Sequence, residues 1–274
     1  KSRLVKILVT GHKGFIGQNM WQHFDGQHEL FGYDWDAFQR PRIQKYDAVI
    51  HLGAISSTTE RDVNKILTQN LDFSKWLFTE CARHDVIFQY ASSASIYGSG
   101  INFHESAPPD PRSPYAWSKY LFDRWVLMQT HTNPVQGYRY FNVYGPHEDH
   151  KGDQASPVHK FSKQASDTGV IRLFEGSDVF QRDFVFVEDL CQVHDAMLQN
   201  SVSGIFNTGT GRAVSFADVA RAIASKHEAR IDLIPMPQAL KSQYQEFTCA
   251  DNRALAKHVD INWTDVTTYI QYPN

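Results

Sequence analysis

A tyrosine at position 115 and a lysine at 119 lie four residues apart in the run Ser113-Pro114-Tyr115-Ala116-Trp117-Ser118-Lys119. In a helix that spacing puts both side chains on one face, a turn apart. Ser113 is suited to cap such a helix and Pro114 to open it, which leaves Tyr115 near the positive end of the helix dipole. A phenol titrates near ~10 in water, too high for a base at neutral pH. A cation at about 4 Å, in an effective dielectric of about 20, favours the phenolate by roughly 4 kcal/mol, or up to about three pKa units. Lys119 would therefore pull Tyr115 toward the range of a working acid/base. An interfacial tyrosine and a solvated lysine on an ordinary helix would show the same spacing, so the surrounding chain has to decide.

The first element that could serve the pair is at the start. Leu4 to Thr10 is an apolar, β-branched run, and Gly11-His-Lys13-Gly14-Phe15-Ile16-Gly17 follows at once, leading into a helical pattern from Phe15 to Phe24. Glycines at this spacing between a strand and a helix let the backbone turn tightly and approach a pyrophosphate at the helix N-terminus. An oxidised nicotinamide delivered by such a turn would add to the pull of Lys119. A second strand, Glu29 to Asp34, ends in an acid 17 residues after Gly17. Asp34 suits a free ribose 2′-hydroxyl, hence NAD; Lys13, Arg40 or Arg42 instead offers a cation to the 2′-phosphate of NADP. The two cues oppose each other. Only residues 35 to 47, with Pro41 among them, join this strand to the next, about the minimum for a parallel crossover. A strand or helix is expected to be missing on that edge.

Further on, Ala48 to Ala54 reads as a third strand with small residues at its carboxyl end, where a cofactor passes in doubly wound sheets. Ser56 to Glu60 is a helix cap or a substrate contact. Asn70 to His84 is an amphipathic helix whose Phe73, Trp76, Leu77 and Cys81 are core or oligomer contacts before they are cofactor contacts. Val86 to Tyr90 is a fourth strand, and Ser92, Ser93 and Ser95 lie beyond it, free to bind a substrate oxygen or their own backbone. Val135 to Val143 is a fifth strand, broken by Gly145 and Pro146. His147 and His150 have no third ligand at a suitable spacing, so no metal is expected. Arg182 to Asp189 runs from strand to helix, Gly204 to Gly209 is a strand, Ser215 to His227 a helix capped by Ser215, and Ile231 to Pro237 a last short strand. Alternating β and α elements imply an α/β fold, a doubly wound parallel Rossmann sheet, with a smaller C-terminal substrate-binding lobe. Residues 1–143 with 184–209 form the first unit in this reading, and 144–183 with 210–274 the second.

Composition sets outer bounds. The 274 residues are 42% apolar and 21% charged with a formal net charge of −3, which offers no field for nucleic acid. Cys81, Cys191 and Cys249 are odd in number and far apart, as free thiols in a reducing compartment are. No apolar run approaches the ~20 residues of a membrane span, and Leu4 to Val9 reads as a buried strand rather than a leader. A cytoplasmic protein is expected.

Together, Gly11-x-x-Gly14-x-x-Gly17, Ser93, Tyr115-x-x-x-Lys119 and the Arg182-Asp183-Phe-Val run resemble the extended short-chain dehydrogenase/reductases of the NAD-dependent epimerase/dehydratase family. Other stretches resemble the ADP-L-glycero-D-manno-heptose 6-epimerase subfamily in particular, and the likeness covers nearly the whole chain. They are Gly53-Ala-Ile-Ser-Ser-Thr-Thr-Glu60, Tyr90-Ala-Ser-Ser-Ala94, Arg139-Tyr-Phe-Asn-Val-Tyr-Gly-Pro146, His150-Lys-Gly152, Phe174-Glu-Gly-Ser177, Arg182-Asp-Phe184 and Tyr244-Gln-x-Phe-Thr248.

The resemblance implies roles. Tyr115 would be the acid/base, Lys119 its tuning cation and a ribose contact, Ser93 the partner of the reacting oxygen, and Lys151 a second acid/base. Cofactor contacts would be Phe15, Ile16, Asp34, Trp35, Leu52, Gly53, Ala54, Ser56, Asn70 and Val143, beside the turn of Gly11, Lys13, Gly14 and Gly17. Asn142, Phe174, Glu175, Gly176, Ser177, Arg182 and Tyr244 would meet the nucleotide sugar, with Arg182 suited to its diphosphate. Three positions depart from the pattern: the short 35–47 link lacks a basic cofactor contact and a wall of the adenine site, Asp153 replaces a small hydroxyl residue that meets substrate, and Lys160 replaces a histidine. The implied activity, in lipopolysaccharide biosynthesis, is epimerisation of ADP-glycero-manno-heptose by transient oxidation at C6 with tightly bound NADP (or NAD). A homo-oligomer pairing the helices at 70–84 and 113–132 is also implied. The alternatives are an NADPH-dependent nucleotide-sugar reductase/epimerase, whose glycine motif Gly11-His-Lys-Gly14 resembles, and a catalytically silent dinucleotide-binding regulator. A 4,6-dehydratase fits less well, because Ser93-Ala-Ser-Ile-Tyr97 lacks an acidic pair after the serine.

Overall fold

The computed structural model describes residues 4–35, 37, 39–57, 60–238 and 245–272. In chain order the strands are β1 (Lys6–Thr10), β2 (Glu29–Tyr33), β3 (Ala48–His51), β4 (Ile87–Ser93), β5 (Val135–Tyr140), β6 (Asn142–Tyr144), β7 (Val170–Phe174), β8 (Gln181–Phe186), β9 (Gly204–Thr208), β10 (Ala213–Ser215) and β11 (Arg230–Ile234). The helices are α1 (Phe15–Phe24), α2 (Val63–Ile66), α3 (Phe73–Arg83), α4 (Pro114–Leu127), α5 (Pro157–Thr168), α6 (Val187–Leu198), α7 (Phe216–His227), α8 (Arg253–Ala256) and α9 (Val266–Gln271).

Six strands form one parallel sheet in the order β2-β1-β3-β4-β5-β9. Strands buried on both faces favour apolar residues, and where β3 and β5, buried throughout, carry polar ones they are paired: His51 with Ser74, Gln136 with Gln89 and Arg139 with Asp123. The strand period of two sorts the core. Ile7 and Val9 of β1 pack with Met20 and Phe24 of α1 and Leu190, Val193 and Met197 of α6 on one face. Leu8 packs with Leu77 and Phe78 of α3 and Phe122 and Val126 of α4 on the other. A three-stranded sheet (β10-β8-β6) and a two-stranded one (β11-β7) share a third core with α5, α7 and α9. No helix among the described residues is long and apolar enough to cross a membrane.

The chain passes from β1 to β2 on one side and resumes at β3 on the other, so the strand order reverses between the carboxyl ends of β1 and β3. Among the described residues, the short 35–47 link carries a single helical turn, Ile43–Lys45, and no strand lies outside β2. The expected thinning of that edge is present.

Other boundaries differ from the sequence reading. The third strand ends at His51, and the fourth continues to Ser93 because its serines pair in register with Arg139 and Tyr140 of β5. The single strand expected from Val135 to Val143 is two. β5 stays in the large sheet, and after Phe141 the chain crosses to pair β6 with β8. The helix expected from Asn70 starts at Val63, where Asp62 accepts a hydrogen bond from the Lys65 amide at 3.0 Å. It passes through a wide turn, Leu67–Asp72, before α3. By contrast α4 opens as its residues dictate, with Pro114 first and Ser113 Oγ accepting from the Ala116 amide at 3.1 Å.

Candidate active site

A cleft of about 900 Å³ opens at the carboxyl ends of β1, β3, β4 and β5. Its floor is built of close backbone approaches. Gly11 has φ of +72°, and a Cβ there would lie 2.7 Å from the Cα of Gly53. A Cβ on Gly17 would run into the Gly11 carbonyl. Glycine is thus required at both positions, for the left-handed turn and for the seating of α1. No side chain caps α1 at Gly14, so its first amides are left for an anion. That cradle fits the pyrophosphate of a dinucleotide.

Lys13, Phe15, Ile16, Leu52, Ala54, Ser56 and Val143 line the same cleft, as the sequence reading expected. Asp34 and Trp35 line it as well. The two opposed cofactor cues meet there: Lys13 Nζ lies 3.2 Å from Asp34 Oδ2, and His12 Nδ1 lies 3.5 Å from the same oxygen. Phe73 packs in the core, as its helical spacing implies, yet it also lines the cleft. Tyr33 stacks on it at 5.5 Å and Trp35 meets it edge-on at 5.5 Å. Asn70 does not reach the cleft. Its side chain accepts from the Ile55 amide at 2.8 Å and donates to the Ile55 carbonyl at 3.0 Å, fixing the loop that does.

Tyr115, Lys119 and Ser93 converge on this cleft. Lys119 Nζ donates to the Ala91 carbonyl at 2.7 Å and lies 5.8 Å from the centre of the Tyr115 ring. Burial lowers the Lys119 ammonium to about 8, while the charge of Asp123, one turn on, opposes the drop. Asp123 accepts from Tyr90 Oη at 3.1 Å, Ser92 Oγ at 2.9 Å and Arg139 Nε at 2.9 Å. Burial raises the Tyr115 phenol, and a hydrogen bond with Ser93 works the other way. The expected downward pull of Lys119 is not among the influences on the phenol, which burial governs.

Lys151 enters from the turn Asp149–Gln154 together with His150. Its Nζ sits 4.8 Å from the centre of the Phe15 ring. Burial lowers it, Glu148 opposes the shift, and Lys160 adds to it. Asn142 at the start of β6 completes this wall. His150, Gln154 and Ser156 also line the cleft; the His-Lys-Gly stretch marks their loop, but no local spacing singles them out.

Other expected substrate contacts lie outside the cleft lining. Lys160 on α5 donates to the Asp153 carbonyl at 3.2 Å, and the Asp153 side chain is exposed. Phe174, Glu175, Gly176 and Ser177 form the turn after β7, closed by Ser177 Oγ donating to the Phe174 carbonyl at 2.6 Å. Arg182 on β8 stacks on Phe216 at 5.1 Å. Tyr244 lies outside the described residues; just after it, Gln245 donates to the Gly98 carbonyl and the Thr248 amide to the Gln181 carbonyl at 3.2 Å. The Ala217 amide donates to the Ser177 carbonyl at 3.3 Å, so the 174–177 turn and Arg182 form a second cluster around the start of α7.

Residues 7–209 match the model of the NAD dependent epimerase/dehydratase family. Among solved structures, an ADP-L-glycero-D-manno-heptose-6-epimerase from Helicobacter pylori is 25% identical, with 98% of this chain and 94% of that one covered and a TM-score of 0.87. A UDP-glucose 4-epimerase from Thermus thermophilus, in complex with NAD, is 25% identical over 97% of this chain and 96% of the other, with a TM-score of 0.81. A UDP-N-acetylglucosamine 4-epimerase from Methanobrevibacter ruminantium, with UDP-N-acetylmuramic acid, is 19% identical over 98% and 96%, with a TM-score of 0.87, a likeness of fold.

Proposed function

The chain belongs to the NAD-dependent epimerase/dehydratase family, and from that premise we propose that it is a nucleotide-sugar epimerase acting on ADP-glycero-manno-heptose at C6. One observation carries the reading. Tyr115 with Ser93 reaches the cleft from the α4 face of the sheet, while Lys151 reaches it from the α1 face. A single-direction reductase needs one proton donor; an epimerase must handle protons on both faces of a carbonyl. The Helicobacter pylori likeness supports the choice of sugar.

The dinucleotide, when bound, supplies the hydride acceptor and donor. Tyr115 Oη takes the proton from the side-chain carbinol as the carbon is oxidised, with the Ser93 hydroxyl holding the reacting oxygen. Lys119 anchors the ribose. The ketone turns to offer its other face, and Lys151 Nζ gives the proton that completes the other epimer. Asn142, the 174–177 turn, Arg182 and Tyr244 hold the nucleotide and diphosphate. NADP is the proposed cofactor, with NAD as the other candidate, because Lys13 offsets the charge of Asp34 that would repel a 2′-phosphate.

The same reading divides the chain into the dinucleotide-binding unit and the smaller substrate lobe, sets it in the cytoplasm, where three free thiols persist, and assigns it to lipopolysaccharide biosynthesis. Exposed Trp117, Leu121, Leu127 and Met128 on and just after α4 support a homo-oligomer.

NMR of ADP-D-glycero-D-manno-heptose incubated with the protein, with absorbance at 340 nm followed in parallel, tests the activity. Interconversion of the C6 epimers with no net change in cofactor redox state is expected. Stoichiometric NADPH consumption on an added keto-sugar would replace it with the reductase, a reading the Lys13–Asp34 pair also accommodates.

A further inference from the structure

Lys151 is carried by a stretch with little regular structure. From Gly145 to Ser156 the chain leaves β6 and enters α5, with only the turn Asp149–Gln154 between them and a break in it at Gly152. One side chain closes the stretch. Glu148 is 1% exposed. One of its carboxylate oxygens accepts from the Gly145 amide at 3.1 Å and the Ser156 hydroxyl at 2.7 Å; the other accepts from the Ser156 amide at 2.6 Å. Those donors belong to the first and last residues of the loop, so a single carboxylate ties its ends together. Ser156 Oγ in turn accepts from the His159 amide at 3.2 Å and caps α5.

Glu148 also sits in one turn with the lysine, since the Lys151 amide donates to the Glu148 carbonyl at 2.9 Å. The charged groups acting on Lys151 are Glu148 from its own loop and Lys160 from α5. From α1 it meets the Phe15 ring, and His150 stands beside it in the cleft lining. Among the described residues, Glu148 is therefore the carboxylate that opposes both burial and Lys160 there. A carboxylate is costly to bury without partners, and this one has three donors to satisfy it.

We propose that Glu148 is the positioning residue of Lys151: it fixes the loop between Gly145 and Ser156 so that Lys151 is presented to the cleft. The proposal rests on the reading of Lys151 as the second acid/base.

The test uses the full chain, reductively methylated with 13C-formaldehyde, and follows the dimethyl-Lys151 resonance against pH, assigned by its loss in Lys151→Arg. In Glu148→Gln the midpoint is expected to fall, because an attractive charge has gone. An unchanged midpoint in the folded variant overturns the proposal. Ser156→Ala is the second arm and carries the test should Glu148→Gln not fold. It removes one donor but leaves the charge, so amide exchange across 145–156 should quicken several-fold while the Lys151 midpoint stays. Unaltered exchange overturns the positioning role. Neither readout needs substrate, so a Lys151→Met protein that still epimerised would sink the two-base reading alone.

Discussion

Tyr115 and Lys151 line one cleft and are held there in opposite ways. Tyr115 rides on a capped helix whose periodicity stacks it over Lys119 and Asp123, and Asp123 is anchored to β4 and β5 by Tyr90, Ser92 and Arg139. Lys151 rides on a loop held by Glu148 within and by Asn19 from without, the latter donating to the Pro146 carbonyl at 2.9 Å. The first wall is positioned by repeating backbone geometry, and the second by a few side chains reaching across. Rigid placement does not require regular structure, but only regular structure can be read from local spacing.

Substitutions on the two walls can break this comparison. The largest effect is expected from chemistry. Tyr115→Phe should cut epimerisation by about 10²–10⁴-fold while dinucleotide binding persists, and Lys151→Met should fall in the same range. A far smaller loss at Lys151 would make the walls unequal in function as well as in support. Next comes stability. Asp123→Asn breaks a buried pair with Arg139 at 2.9 Å and should cost about 3–5 kcal/mol in urea unfolding. Asn19→Ala, on the loop wall, should cost about 1–2 kcal/mol and speed amide exchange near Pro146.

The pH response sharpens the contrast further. Lys119 titrates at about 8 when folded and at 10.5 ordinarily, so the native chain binds fewer protons between those values. This group's contribution to stability therefore rises with pH across that window, the reverse of a cation that gains a partner on folding. Activity should lose an alkaline limb near pH 8 that Lys119→Arg removes. The smallest effect is expected at the ribose end. Lys13→Ala should shift preference from NADP toward NAD by about tenfold in fluorescence titrations, as one charge-assisted contact is lost.

Much of the first wall was legible. Ser113, Pro114 and the four-residue interval specified a capped helix, and the glycines before Phe15 specified the turn. What stayed hidden depended on partners distant in sequence. Nothing local to Phe141 says that the chain changes sheets there, because both halves of the 135–143 run are equally β-forming. Ser92 and Ser93 read as loop until Asp123 and the neighbouring strand supply their partners. Phe73 is apolar at helical spacing, which describes a core residue and a cleft wall equally well. The roles of Glu148 and Asn19 come from residues that look like solvated surface in the linear chain.

The brief link from residue 35 to 47 also bears on how the chain folds. Three neighbouring parallel strands fall within the first 51 residues, and each doubling of a connection adds only about 0.6 kcal/mol of closure entropy, so a short one saves little in stability. Its larger consequence is kinetic. Contacts near in sequence form before distant ones, whereas β9 must return from residue 204 to pair with a strand that ended at residue 140. In pulsed hydrogen exchange during refolding, the amides of β1 and β3 should gain protection before those of β5 and β9. The cofactor turn would then exist as a nascent anion-binding cradle before the wall that holds Lys151 has assembled.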